Sequence, residues 1–227
     1  MNNVSIKDNA KNNLNIKILT NRTYNLLFGF VILYGLILNY LLCTYGLELA
    51  MTIKPMILIV SYISFGVLGS TLAILSKKAT ISFIGYNLLV IPAGLVLSLA
   101  LQEYGGIDSI IVKQSFLYTS SVIMVMITLG VIFPKLFEKL ERILFISSMG
   151  LFITYIIIII FHIDNIIISW IASIIYSLYI GYDIYKSQQI NKTADNAVDC
   201  AINVYVDIIV LFLNILDILG KTKDKND

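Results

Sequence analysis

Charge is what this 227-residue chain has least of: only 13% of its residues are Asp, Glu, Lys or Arg, about half the share found in soluble globular domains. A water-soluble globule is excluded on that ground. Sixteen basic residues stand against fourteen acidic ones, so the chain lacks the strongly basic face that nucleic acid requires. Histidine occurs once, at His162 in a short turn beside Asp164. Multi-histidine metal sites and Ser-His nucleophilic chemistry therefore lack parts. Of the two cysteines, Cys43 falls near the outer end of the first span drawn below and Cys200 near the inner end of the last, so no disulfide is expected. Proline is scarce too, at three residues, and Pro92 with Gly94 inside an apolar run predicts a kink.

What the chain does have is 58% hydrophobic content, gathered into blocks of about twenty residues, the length that crosses a hydrocarbon core of roughly 30 Å. The pattern draws seven spans, at 24–45, 55–76, 80–101, 115–133, 143–161, 166–185 and 198–219. Ile-rich runs such as 156–160 would also suit a buried strand, but an open sheet edge in lipid leaves its backbone unsatisfied, so each span is read as a helix. The fold class is thus an all-α membrane protein, a seven-helix transmembrane domain over 24–219 between an N-terminal tail (1–23) and a short C-terminal tail (220–227). The first span is longer than a signal-peptide core and lacks a clean cleavage site, so it is read as a retained helix. Small residues at Gly66/Ser70 and Gly69/Ala73 suit close helix packing in the second span.

Lys and Arg set the sidedness. With seven crossings and the N-terminus inside, eleven basic residues lie on the inner side and five on the outer, three of the five being Lys221, Lys223 and Lys225 of the C-terminal tail. The positive-inside rule places the N-terminus in the cytoplasm. The tail dissents, and a re-entrant last segment would bring its lysines inside, but about 22 apolar residues favour a full crossing.

Polar residues at membrane depth carry the functional signal. In the last span, 100° per residue puts Asp199, Asn203, Asp207, Asn214 and Asp217 in one stripe about 80° wide. A carboxylate at mid-bilayer costs at least about 2.5–3.5 kcal/mol, so this stripe turns away from lipid and the last helix is expected to be central. Span six carries a similar stripe of Ser169, Ser173, Tyr176, Asp183 and Ser187. As antiparallel neighbours, the two helices bring Asp183 and Asp207 to similar depth. Two carboxylates in a low-dielectric site cannot both ionise cheaply, so the pair is expected to share a proton and to respond to pH. When doubly ionised it is a hard-oxygen site that binds Ca²⁺ weakly, as suits an ion in transit. Asn203, Asn214, Asp217, Ser173 and Tyr176 are the expected polar lining of the path. The bland reading of the same residues is helix-to-helix hydrogen bonding, with Asp183 reaching the interface beside Lys186.

The run Ser177-Leu178-Tyr179-Ile180-Gly181-Tyr182-Asp183, with Gln188-Gln189-Ile190 and then Tyr205-Val206-Asp207-Ile208-Ile209-Val210-Leu211-Phe212, resembles the Bax inhibitor-1 (TMBIM) family, most nearly its bacterial YetJ-like members. The likeness covers the whole chain in span number and polarity, and spans six and seven at the level of motif. It implies a seven-helix fold with the last helix central, in a bacterial-type cell membrane, and a pH-sensitive Ca²⁺ leak whose paired-aspartate sensor falls on Asp183 and Asp207. It further implies a basic partner for the pair at the inner end of span two, for which Lys77 and Lys78 are the candidates. Two departures stand out: Val210 replaces a common Asn, and the family has a basic residue near Asp217.

Other classes fit less well. Tyr182-Asp183 is similar to the first motif of intramembrane aspartyl proteases, but Val204-Tyr205-Val206-Asp207 is too bulky for the Gly-x-Gly-Asp that such an enzyme needs. No lysine between Lys192 and Lys221 could hold a retinal. No enzymatic activity and no cofactor are expected, Ca²⁺ being cargo. The bilayer, calcium ions and protons are the expected partners, with a membrane protease as a further one. The remaining alternatives are a non-conducting interaction protein that modulates a membrane protease or stress response, and a proton-coupled cation exchanger.

Overall fold

The structure, a computed structural model, describes residues 17–161 and 165–223. Among the described residues eight helices follow one another: α1 (Asn21–Tyr45), α2 (Leu47–Thr52), α3 (Pro55–Leu75), α4 (Ala79–Glu103), α5 (Ile110–Ile132), α6 (Pro134–Phe161), α7 (Ile166–Gln189) and α8 (Ala194–Lys223). All but the short α2 are long and apolar enough to cross a membrane, and no strand occurs among the described residues. The chain is an integral multi-pass membrane protein.

Every spanning helix but α3, which ends at Leu75, outruns the apolar run that announced it, because the helical backbone continues into the polar layer. Helix α1 begins at Asn21, with the Thr20 side chain accepting from the Thr23 amide, so the last residues assigned to the tail are helical. Helix α5 begins five residues before the span drawn from 115, at Ile110, where the Ser109 side chain accepts from the Val112 amide. Helix α6 begins nine residues before 143, and its first turns carry Lys135, Glu138, Lys139, Glu141 and Arg142, which the hydropathy pattern assigns to a loop. Only Phe133 separates α5 from α6. Helix α8 reaches past the drawn span at both ends, to Ala194 and Lys223, a length of about 45 Å at 1.5 Å per residue. It is unbroken, which leaves no turn for a re-entrant path. Helix α2, absent from the drawn spans because it is only six residues long, fills the connection between α1 and α3. The turn from α4 to α5 depends on Gly105 and Gly106, at φ 90° and 83°, where a Cβ would be strained. Helix α4 continues through Pro92 without interruption, and His162 and Asp164 lie outside the described residues.

Helix α8 is central, packed against α7, α1, α5, α4 and α3. Of its most apolar window 61% is buried, against 11% in α6. The other spans turn their apolar faces outward: Leu26, Phe30, Leu33 and Ile37 on α1 are all more than half exposed, a surface that only lipid can cover. The closest helix approach joins α3 to α4, where Gly69 and Gly85 meet backbone to backbone, and a Cβ on either would strike the carbonyl oxygen of the other. Cys43 and Cys200 are both buried and free.

Candidate functional site

Helices α7 and α8 are antiparallel, joined by residues 190–193. This short connection puts the two polar stripes face to face. The Asp183 and Asp207 side chains, 9% and 7% exposed, lie close enough for each to act on the other's charge. Two buried carboxyl groups so placed repel when both are ionised. Oδ2 of Asp207 has no partner. The pair lies in a cleft of about 420 Å³ whose walls also include Ser70 of α3, Glu141 of α6, Tyr179, Tyr182 and Lys186 of α7, and Asn203 of α8. Three carboxyl groups and one ammonium share this space.

Helix α6 closes the side of the cleft. The Tyr182 hydroxyl donates to Glu141 Oε1 at 2.7 Å, and Lys186 Nζ stands 5.4 Å from the centre of the Tyr182 ring. Tyr179 stands beside Ser148 of α6, whose hydroxyl donates to the Phe145 carbonyl at 2.9 Å. Lys186 is the cation whose field reaches Asp183. Lys77 and Lys78, the partners that the resemblance suggested, are exposed in the connection between α3 and α4, and neither lines the cleft. Within that connection Ser76 Oγ accepts from the Lys78 N–H at 3.0 Å. The sequence reading missed Glu141 because its segment looked like a loop, although an acidic residue among Lys135, Lys139 and Arg142 was a signal that the segment is amphipathic.

Tyr176 lies among Tyr62, Tyr155, Tyr179 and Asp207, so an aromatic band stands between the inner cleft and the outer half of the bundle. Beyond it, the Tyr155 hydroxyl donates to Asn214 Oδ1 at 3.0 Å, and Asn214 Nδ2 donates to the Val210 carbonyl at 2.8 Å. An outer cleft of about 330 Å³ opens here, lined by Tyr155, Ser169, Val210, Asn214, Asp217 and Lys221 among others. Asp217 accepts from Ser169 Oγ at 2.6 Å and from the Tyr104 hydroxyl at 3.3 Å, and pairs with Lys221 Nζ at 2.8 Å. Burial first, and then the Asp217 carboxylate, push the Tyr104 hydroxyl up to about 12, so it is a permanent donor to that hub.

The polar lining read from the sequence thus divides by place. Asp183, Asp207 and Asn203 line the inner cleft, with Asn203 exposed at its wall rather than buried. Asn214 and Asp217 line the outer one, and Tyr176 belongs to the band between. Ser173 lines neither; it faces a lateral apolar groove with Tyr118, Trp170 and Leu211, and its buried Oγ has no partner. Asp199 stands nearer the inner end, beside Ser82 and Asp195 of a separate polar cluster. Among the described residues no three His, Cys, Asp or Glu side chains gather as ligands for one metal ion.

A family profile described as inhibitor of apoptosis-promoting Bax1 matches residues 17–224. No curated protein matches the chain.

Proposed function

The chain belongs to the Bax inhibitor-1 family, and on that premise we propose that it is a pH-controlled calcium leak pathway, not an enzyme, with Asp183 and Asp207 as its proton-sensing gate. The observation that carries this reading is the close approach of the two carboxyl groups inside the inner cleft. With one proton between them they bind each other and join α7 to α8. Without it they repel, and their oxygens form a doubly negative hard-ligand set for Ca²⁺. Two carboxylates with few further oxygens hold the ion weakly, which a permeation path requires. The basic-residue count puts this cleft on the cytoplasmic side, with the C-terminus outside the cell.

The test is Ca²⁺ flux into liposomes carrying the purified chain, followed from about pH 5 to pH 8, the window in which a carboxyl pair sharing one proton can titrate. Asp183→Asn and Asp207→Asn each remove most of the pH dependence, since an amide of nearly the same volume cannot titrate. Flux rising toward alkaline pH makes the shared proton the latch; flux rising toward acid pH makes the ionised pair the plug. A full pH profile in both variants would place the sensor elsewhere.

A second reading, a proton-coupled cation exchanger, is favoured by the tyrosine band, because Tyr62, Tyr155 and Tyr176 stand between the two clefts. An exchanger moves protons in fixed proportion to Ca²⁺, whereas a leak does not. Measuring both ions in the same liposomes separates the two.

A further inference from the structure

A groove of about 420 Å³ runs between α1 and α5 in the half of the bundle nearest the N-terminus. Its floor is core: Phe28 of α1, Ile184 of α7, and Val204 and Ile208 of α8 are all buried. Its lips are exposed, with Leu33 on one side and Ile127 and Val131 on the other. Gly29 opens it. A Cβ on Gly29 would find no atom within 4 Å, so the missing side chain relieves no close contact and leaves empty a space that a larger residue would fill. Glycine weakens a helix interior, and no tight helix approach accounts for it here. From Asn25 to Leu36 the groove follows α1 for eleven residues, about 16 Å at 1.5 Å per residue. That is half of a hydrocarbon core of about 30 Å, the depth of one lipid leaflet, whereas a transmembrane partner helix would need the whole.

The end of the groove nearest the N-terminus is polar. Gln188 Nε2 of α7 donates to Asn25 Oδ1 of α1 at 3.2 Å, and both residues line the groove. The amide nitrogen of Asn25, an exposed residue, is left to donate elsewhere. Arg22 precedes Asn25 by three residues and Gly29 by seven, which helical periodicity places on the same face of α1. It is exposed and makes no ion pair or hydrogen bond among the described residues. A cation in the first turn of a helix opposes the helix dipole, so Arg22 does not stand there to stabilise α1. An apolar trough one leaflet deep that ends at a free guanidinium fits a phospholipid: the guanidinium takes the phosphate in a charge-assisted, bidentate bond, and an acyl chain lies over Gly29. A zwitterionic headgroup would bring a second cation to this end, and among the described residues no carboxylate lines the groove to receive it. The charge of the site therefore favours a headgroup that is net negative.

We propose that this groove binds an anionic phospholipid of the leaflet nearest the N-terminus, with one acyl chain over Gly29 and the phosphate at Arg22. Because α8 forms part of the floor, the lipid touches the helix that carries Asp207.

The test titrates the full chain in detergent with phosphatidylglycerol, or with phosphatidylcholine of the same acyl chains, and counts bound lipid by native mass spectrometry. One lipid should bind saturably, phosphatidylglycerol about tenfold more tightly than phosphatidylcholine, the worth of one hydrogen bond to a charged group. Arg22→Gln should remove that preference and leave phosphatidylcholine binding as it was. Gly29→Leu, whose Cβ meets no neighbour, should weaken both lipids on the order of tenfold by filling the groove, without lowering the unfolding temperature. Equal binding of the two lipids by the native chain, an undiminished preference in Arg22→Gln, or unchanged binding in Gly29→Leu would each overturn the proposal. A dimer of the native chain that Gly29→Leu abolishes would overturn it too, assigning the groove to a second copy.

Discussion

The Tyr182 hydroxyl donates to Glu141 across the wall of the inner cleft, at 2.7 Å, while Lys186 stands over the same ring. One tyrosine thus fastens α6 to α7 and stands under Lys186, whose ammonium lines the cleft. A double-mutant cycle with Tyr182→Phe and Glu141→Leu should give a coupling of about 1 kcal/mol in unfolding free energy, the ordinary worth of such a bond in a bilayer. Additive effects would show that the two groups do not support each other.

Under the proposed function, Lys186 is a tethered cation competing with Ca²⁺ for the carboxyl groups. Lys186→Gln should then raise Ca²⁺ flux at fixed pH about fivefold or more, since a neighbouring charge at an effective dielectric near 20 is worth at least about 1 kcal/mol. Lys77→Gln and Lys78→Gln, in the exposed connection, should leave flux within about twofold. Reversal of that order would return the latch role to the α3–α4 connection.

Asp207 and Asp217 are both carboxyl groups on α8, with opposite expected responses to leucine. Asp207 Oδ2 lacks a partner, so Asp207→Leu should fold with unchanged or higher thermal stability, because an incompletely satisfied buried group is replaced by a well-packing one. Asp217 accepts from Ser169 and Tyr104 and pairs with Lys221, so Asp217→Leu should lose about 2 kcal/mol by stranding those donors. Thermal unfolding in one detergent measures both. An equal loss at Asp207 would make it a structural hydrogen-bond partner.

Such contrasts trace back to what the sequence could show. The Asp183 and Asp207 pairing was legible because helical periodicity fixes angle, and a polar stripe in an apolar helix has few places to point. Glu141 was not, since hydropathy marks where the apolar run ends and says nothing of where the helix does. Asn39 was not legible for a related reason: one amide inside α1 barely changes the mean hydropathy of a 25-residue helix, and its hydrogen bond to Tyr205 is set by tertiary packing alone. The small residues Gly69 and Ala73 advertised a close approach, but not that Gly85 would be the partner.

Gly69→Ala should accordingly be severe, costing about 3 kcal/mol or more, because the added Cβ meets the Gly85 carbonyl and backbone cannot step aside. Gly66→Ala, whose Cβ would find Leu89 at 3.9 Å as its nearest neighbour, should stay within about 0.5 kcal/mol. If both are tolerated, the α3–α4 contact is looser than described.

Sidedness has a direct readout. A cysteine placed at Lys223 should react with an impermeant maleimide added to intact cells, while the native Cys43 and Cys200, being buried, give little background. Reaction only after permeabilisation would put both termini on one side of the membrane.

Helix α6 presents Glu141 and Tyr155 to Tyr182 and Asn214 respectively, two rungs fourteen residues apart along a helix that buries little apolar surface. In water such a helix would be held by exclusion from solvent, a force that acts all at once. In a bilayer, lipid replaces apolar contacts at almost no loss, so the attachment of α6 is a ladder whose rungs release singly. A change at one end, near the carboxyl pair, can therefore unfasten that end alone while Tyr155 keeps the other in place.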